Sequence, residues 1–499
     1  MRSISAILLF LLSACGGTKA PETVTGPKGE VFVRRIVADR LSDPWEITYG
    51  PDQSLWVTEA KGYRVSRVDP ASGKRTVVLD VSGERKFSRY DLVKEEKKER
   101  KPWPQGGLMG LALHPQFGEG KPYVFLSYVY RFAGAGARGS GCADKYGGCF
   151  FSTRIVRYRY DAPAGKLIDP VVLCDTIPGS NDHNGGRLLI APEGDRPYLF
   201  YAVGDMGAGQ FDNGGRPNHA QDVRFYEGKI LRFHTEPDGD ANAFDRWIPN
   251  DNPFNGQRQS AVWTYGHRNP QGLAFAGGKI YSSEHGPYSD DEVNLIEKAG
   301  NYGHPLIEGY ADGNYNGLAA GATDHKELPG AWNTTYPDII SEQATATALG
   351  AAYRNPLKSF YPTRNSTLRK VLVKTRDGER GEWVSEAPSS IDVYTSPAIP
   401  GWRNSLLLST LKTGRLLRLP LNENGDGLTG DTLVYFQAMA RYRDIALSPD
   451  GRRIYLAVDS AKKSSGPTED KEKKSFCQGC IVEFTYTGNG AEIVRSKAP

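Results

Sequence analysis

The sequence predicts an all-β protein, either a β-propeller or an array of β-sandwiches. Three observations point there. Short runs alternating apolar and polar residues recur from about residue 30 to residue 486, the period-two mark of half-buried strands. The 57 Gly and 32 Pro suit tight turns between such runs, and 26 Tyr with 19 Phe suit strand positions. No long window shows strong helical periodicity, so crossover helices for a parallel sheet are not expected.

In chain order, Arg2 is followed by an apolar run over 4–12 and then by Ser13-Ala14-Cys15-Gly16. A short positive region, a short apolar stretch and small residues at the break describe a secretory signal over 1–14, too brief to span a bilayer. Leu12-Ser13-Ala14-Cys15 has the form of a bacterial lipobox, which expects a lipid on Cys15. Residues 15–29, rich in Gly, Thr and Pro, read as a tether, and 30–499 as the folded part. The chain is then exported to the periplasm or cell envelope, touching membrane only through its lipid anchor.

Strand runs at 54–58, 63–68 and 75–79 form a meander broken by the Asp69-Pro70 and Ser72-Gly73 turns. Similar runs fall at 123–130, 153–160, 187–191, 198–203, 229–233, 273–283, 405–419 and 443–458. Six propeller blades of about 40–45 residues would use roughly half of the chain. Insertions take the rest: 86–104 with the charged run Lys94 to Lys101, the Gly-rich 131–150, and the Lys/Ser/Glu-rich 459–476. They read as solvated loops.

Export permits disulfides. Cys142 with Cys149 would staple the Gly-rich loop, and Cys477 with Cys480 would close a turn before the last strand. Cys174 is left over and reads as buried and inert. Cys477-Gln478-Gly479-Cys480 has no following His, so it is not a c-haem site, and no second ligand pair for zinc is evident. A net charge of +4 is too weak for a nucleic-acid surface.

Six segments are too polar for ordinary strands. Asn181-Asp182-His183 with Asn184, Gly185 and Gly186 precedes a strand, and Gly204-Asp205 ends one. Tyr265-Gly266-His267-Arg268-Asn269 packs donors into a turn. Glu284-His285-Gly286-Pro287 runs on to Asp290, Asp291 and Glu292, a mix of carbonyl and carboxylate oxygens that suits Ca²⁺ and equally an acidic solvated turn. Lys412, and Arg441 with Arg443, would suit a ligand bearing several carboxylates.

With these segments the sequence resembles the soluble PQQ-dependent glucose dehydrogenases of the glucose/sorbosone dehydrogenase family. Matches run in order from about Leu41 to Tyr486, among them Gln105-Gly106-Gly107-Leu108-Met109, Asp182-His183, Gly266-His267-Arg268-Asn269-Pro270, Asp290-Asp291-Glu292, Asn301-Tyr302-Gly303, Lys412 and Arg441-Tyr442-Arg443. The resemblance implies a six-bladed β-propeller with inserted loops on the active-site face. It implies oxidation of an aldose sugar with pyrroloquinoline quinone (PQQ) and Ca²⁺, the electrons passing to an external acceptor such as a quinone, cytochrome or dye. His183 would be the general base and Asp205 would orient its ring, while Arg268 would polarise the hydride-accepting carbonyl. Lys412, Arg441 and Arg443 would pair with PQQ carboxylates, with Asn269 nearby. Gln105, Asp182 and Trp383 would face the sugar. The carbonyls of Gly286 and Pro287 would hold the catalytic Ca²⁺, and Glu292, Tyr302 and Asp312 a second, structural one.

Two positions depart from the family pattern. His285 stands where the glucose enzymes have Gln, and Arg380 sits near their aromatic sugar contact. Residues 313–380 align poorly, which leaves the sugar pocket and a homodimer contact open. Two other readings compete: a calcium-dependent propeller hydrolase or lactonase, and a non-catalytic extracellular binding propeller. The first needs no Lys412/Arg441/Arg443 trio, and the second needs no His183.

Overall fold

The computed structural model describes residues 21–89, 92, 103–133, 142, 146–242, 244–379, 383–438, 440–460 and 476–489. The signal over 1–14, Cys15, the run Lys94 to Lys101, Arg380 and most of the 459–476 insertion lie outside them.

Two strands open the chain, β1 (Glu22–Thr25) and β2 (Glu30–Ala38). The first complete blade is β3 (Pro44–Tyr49), β4 (Leu55–Glu59), β5 (Arg64–Val68) and β6 (Arg75–Asp80). The second is β7 (Leu108–Leu113), β8 (Tyr123–Phe132), β9 (Phe151–Asp161) and β10 (Lys166–Gly179). Next come β11 (Leu188–Glu193), β12 (Arg196–Val203), β13 (Lys229–His234) and β14 (Val262–Tyr265). The fourth blade is β15 (Pro270–Ala276), β16 (Lys279–Glu284), β17 (Asp291–Ile296) and β18 (Lys358–Phe360). The fifth is β19 (Pro388–Tyr394), β20 (Ser405–Thr410), β21 (Leu416–Pro420) and β22 (Leu433–Tyr435). The sixth combines β23 (Tyr442–Leu447), β24 (Arg453–Val458) and β25 (Cys480–Asn489) with the chain's first strands, in the order β1-β2-β25-β24-β23. Each sheet is antiparallel, and the six together make a six-bladed β-propeller.

Ring closure rests on β2. It pairs with β25 in a register that sets Phe32 opposite Tyr486 and Ile36 opposite Val482. Phe32 is fully buried against the rings of Trp402, Phe436 and Tyr486, which stabilises the seam by roughly 2–3 kcal/mol. Blades stack face to face, so their middle strands are buried on both sides. That is why β20 reads Ser405-Leu406-Leu407-Leu408-Ser409 instead of alternating strictly.

Two differences from the sequence reading follow from the same physics. Glu22–Thr25, inside the stretch read as a tether, pairs with β2 as an outer strand, with Val24 packed on the blade core. Two short helices, α1 (Glu342–Leu349) and α2 (Asn365–Arg376), lie in the insertions flanking β18. The buried stripe of α2 is only Leu368, Leu372 and Thr375, too brief to register as a long helical period. Disulfides join Cys142 to Cys149 and Cys477 to Cys480, and Cys174 is buried with a free thiol.

The first strands of the blades line a central channel containing a cavity of about 340 Å³. There Arg187 pairs with Glu46 and, at 2.9 Å, with Asp444, and lies 4.4 Å over the Trp45 ring. In an antiparallel blade the start of the first strand and the end of the second point the same way. Loops entering β7, β11, β15, β19 and β23, and those leaving β12, β16, β20 and β24, therefore gather on one face of the propeller.

Candidate active site

On that face, His183 sits in the loop entering β11 and Asp205 in the loop leaving β12. His183 holds a left-handed φ of +50°. Gly204 makes this possible: a Cβ there would lie 2.0 Å from the His183 carbonyl oxygen. The result is a short contact, His183 Nδ1 to Asp205 Oδ1 at 2.6 Å, with both side chains buried. Burial alone would raise the Asp205 pKa. Its contacts with His183 and His304 outweigh that and hold the carboxyl well below the usual range. An ionised carboxylate only accepts, so Nδ1 carries the proton and the Nε2 lone pair is available as a base. Gln210 Nε2 donates to that lone pair at 3.1 Å.

Gln210 also donates to Asp182 Oδ2 at 2.8 Å and accepts from Arg268 Nη2 at 3.0 Å. Gln105 donates to Asp182 Oδ1 at 3.1 Å, and Arg268 Nη1 to the His285 carbonyl at 3.2 Å. One network thus brings together Gln105, Asp182, His183, Asp205 and Arg268 from three blades. Asn269 Oδ1 accepts the Gly185 N–H at 3.2 Å, fixing its side chain beside the His183 loop.

Lys412 follows β20 on the fifth blade, and Arg441 and Arg443 lie at the start of β23 on the sixth. Arg441 Nε and Arg443 Nη2 both donate to Asp459, each at 2.8 Å, and Arg443 Nη1 reaches Gln271 at 2.9 Å. Gln271, 3.5 Å from Gln105, ties this blade to the base network. Lys412 donates to the Trp383 carbonyl, while the Trp383 ring packs edge-on to Tyr288, 4.9 Å away. Several buried donors of these residues have no protein hydrogen-bond partner: Arg268 Nε, Asn269 Nδ2, Trp383 Nε1, Arg441 Nη1 and Arg443 Nε. His285 Nε2 is likewise unpartnered. Burial first, and then Arg268, His183 and Arg443, hold the His285 pKa well below its usual value.

Gly286 and Pro287 form a tight turn after β16. A Cβ at Gly286 would lie 1.9 Å from the Ser289 carbonyl oxygen, so only glycine fits. Among the described residues no hydrogen bond ends on either of their carbonyls. Glu292 accepts from Gly309 N–H and Asn294 at 2.8 Å each, and burial beside Glu284 raises its pKa well above normal. The Tyr302 hydroxyl donates to the Leu295 carbonyl at 2.7 Å, and the exposed Asp312 accepts from the Asn314 N–H. Among the described residues no three His, Cys, Asp or Glu side chains form a metal cage.

Sequence reasoning missed Gln210, Gln271, His304, Tyr336 and Asp459. Gln210 and Asp459 each lie a few residues beyond a segment already singled out, Gly204-Asp205 and the end of the 443–458 run. His304 and Tyr336 arrive from the insertion between β17 and β18, which has no strand pattern to place it.

The loop face of the propeller thus carries a buried His183–Asp205 pair and a group of buried donors without protein partners. Comparison with known proteins gives the class. The chain belongs to the glucose/sorbosone dehydrogenase family, whose profile matches residues 41–357 and 382–465. It is 32% identical to quinoprotein glucose dehydrogenase B of Acinetobacter calcoaceticus over 97% of both chains. It is 26% identical to aldose sugar dehydrogenase YliI of Escherichia coli, over 85% of this chain and 90% of that one. The fold is shared with the PQQ-bound aldose sugar dehydrogenase of Streptomyces coelicolor, with a TM-score of 0.57 at 23% identity, covering 91% of this chain and 97% of that one.

Proposed function

We propose that this enzyme oxidises aldose sugars at C1 to the lactone with PQQ and Ca²⁺, passing electrons to an external acceptor. The observation that carries the reading is the set of unpartnered buried donors around the base. A buried donor without an acceptor costs roughly 1–3 kcal/mol, and five such donors belong to Arg268, Asn269, Trp383, Arg441 and Arg443. A ligand with several carboxylates and carbonyls would satisfy them. The neutral alternatives do not need two buried guanidiniums that share a single carboxylate, Asp459.

Bound PQQ supplies the electrophilic carbonyl that accepts hydride. The chain does the rest. Arg441, Arg443, Lys412 and Asn269 hold the ligand, and Arg268 offers its free Nε–H toward developing negative charge. His183 Nε2 takes the anomeric hydroxyl proton, while Nδ1–H stays on Asp205. The Gln210 amide must yield that lone pair as the sugar hydroxyl arrives. Gln105, Asp182 and Trp383 line the approach. The Gly286 and Pro287 carbonyls would hold Ca²⁺, and a second Ca²⁺ beside Glu292, Tyr302 and Asp312 would relieve the crowded acids around Glu284. Export with a lipid on Cys15 completes the proposal. Among the described residues, no helix is long and apolar enough to cross a membrane.

Chelator treatment should yield inactive protein, and adding PQQ with Ca²⁺ should restore aldose-dependent dye reduction. Deuterium at the sugar C1 should slow cofactor reduction. Full activity in protein free of PQQ overturns the assignment.

A further inference from the structure

The His183–Asp205 pair does not end at Asp205. Asp205 Oδ1 serves His183 and the Gly207 N–H, at 2.6 and 2.9 Å. Its other oxygen accepts from His304 Nε2 at 2.9 Å and from the Tyr336 hydroxyl at 3.2 Å. The second ring nitrogen of His304 lies 2.7 Å from Glu308 Oε1. Four side chains thus form an unbroken buried string, His183–Asp205–His304–Glu308, none more than 5% exposed.

We propose that His304, held by Glu308, is a positioning residue for the base: it fixes the Asp205 carboxylate and, through it, the His183 ring. The proposal rests on His183 acting as the base. Its support is geometric. A carboxylate bonded through one oxygen alone can swivel about its Cβ–Cγ bond, and the 2.6 Å contact to His183 would swing with it. On the far oxygen, His304 is the shortest of three contacts, ahead of the Tyr336 hydroxyl and Asn218 Nδ2, and does most to close off that rotation. The His304 ring is itself fixed twice, because both nitrogens face acceptor-only carboxylates. Its backbone N–H bonds the Gly266 carbonyl at 3.0 Å, on the loop that carries Arg268. Glu308 is anchored in turn, its N–H donating to Glu342 at 3.0 Å. The spacing of four between His304 and Glu308 spans the turn begun by Gly303, whose carbonyl accepts from Leu306 and Ile307. Apolar side chains would fill this volume without the desolvation cost of buried ionisable groups. A string of them attached to the base is accounted for by orientation.

The test compares His304→Leu, which removes both bonds at similar volume, with His304→Gln, which keeps a donor within reach of Asp205, and with Glu308→Gln. In cofactor-free protein, the imidazole N–H proton of His183 is followed by NMR, assigned by its loss in His183→Ala. In PQQ-loaded protein, single-turnover cofactor reduction, sugar KM and PQQ affinity are measured. His304→Leu should shift the His183 proton and slow reduction about 10- to 100-fold, the scale of a small misplacement of a reacting group. KM and PQQ affinity should stay within about twofold, and His304→Gln should recover most of both signals. Should the Leu variant not fold, Glu308→Gln should give the same signature at smaller size. An unshifted His183 proton with an unchanged rate in folded His304→Leu overturns the proposal. So does a rate loss that tracks weakened PQQ binding and is not rescued by Gln. A wild-type rate in His183→Ala would instead refute the base assignment and leave the NMR result standing.

Discussion

Asparagine at position 205 keeps the shape of the site and changes one oxygen into a donor. Every partner of Asp205 is itself a donor: His183 Nδ1 and the Gly207 N–H on one oxygen, His304, Tyr336 and, at 3.3 Å, Asn218 on the other. The amide must turn its NH₂ toward one group of them. Three donors on the Oδ2 side outbid two on the Oδ1 side, so the carbonyl oxygen should settle by His304 and the NH₂ by His183. The His183 proton is then driven to Nε2, the nitrogen that has to accept one. A tautomer error of this kind costs a Ser-His-Asp triad about 10⁴ in turnover, or roughly 5.5 kcal/mol of barrier. Asp205→Asn should therefore slow single-turnover PQQ reduction by about 10³–10⁴ at unchanged PQQ affinity, read by stopped-flow absorbance. Stability gives a second reading. Because Asp205 has a depressed pKa in the folded state, its contribution is present above the unfolded value of about 3.9 and is lost as pH falls below it. The variant should lack that part of the acid limb. A fully loaded Asp205→Asn protein that reduces PQQ at the wild-type rate would refute the reasoning.

Two further outcomes follow from the same structure. Arg443→Ala removes one of two guanidiniums on Asp459 and an unpartnered Nε–H, so PQQ affinity should fall by about 10- to 100-fold, as loss of a charged hydrogen bond predicts, while sugar KM moves little. Equal losses in both would place Arg443 outside the cofactor site. In the central channel, burial and then Asp444 push the Asp392 pKa up to about 7. The folded protein thus holds a proton between about pH 4 and 7 that the unfolded chain has released, and stability falls as pH rises through that window. Asp392→Asn should stabilise the protein by about 1–2 kcal/mol at pH 7.5, trimmed from the full shift by channel water, with no gain at pH 4. A gain independent of pH would point to packing instead.

The blades were legible because each strand has its own period and its own turn, as at 54–58, 63–68 and 75–79. Much of the single-face arrangement was implicit as well: the matched segments at Gln105, Asp182-His183, 266–270, Lys412 and 441–443 sit where a first strand starts or a second strand ends, while Asp290-Asp291-Glu292 opens a third strand. The region between β17 and β18 was not legible. It contains no strand alternation, its helices are short, and its contributions to the site, His304 and Tyr336, are single residues in irregular loops. Nothing in their neighbourhood marks them until the fold carries them to Asp205.

The group of buried donors also explains how so many buried cations are tolerated before any ligand binds. Asp459 lies between Arg441 and Arg443, and burial works against its ionisation while both guanidiniums favour it, leaving the carboxyl pKa below normal. Asp459 is shared by the two guanidiniums, and Asp43 adds its charge on the Arg443 side. Arg443 shows the strain: burial lowers its pKa despite Asp459. Partial neutralisation fixes the guanidinium planes through Asp459 while leaving Arg441 Nη1 and Arg443 Nε unpartnered. Buried donors left without partners cost stability, and a polycarboxylate bound as proposed would recover it. Asp205, likewise, is saturated with donors, which commits His183 Nδ1 to it while His183 Nε2 meets only the Gln210 amide.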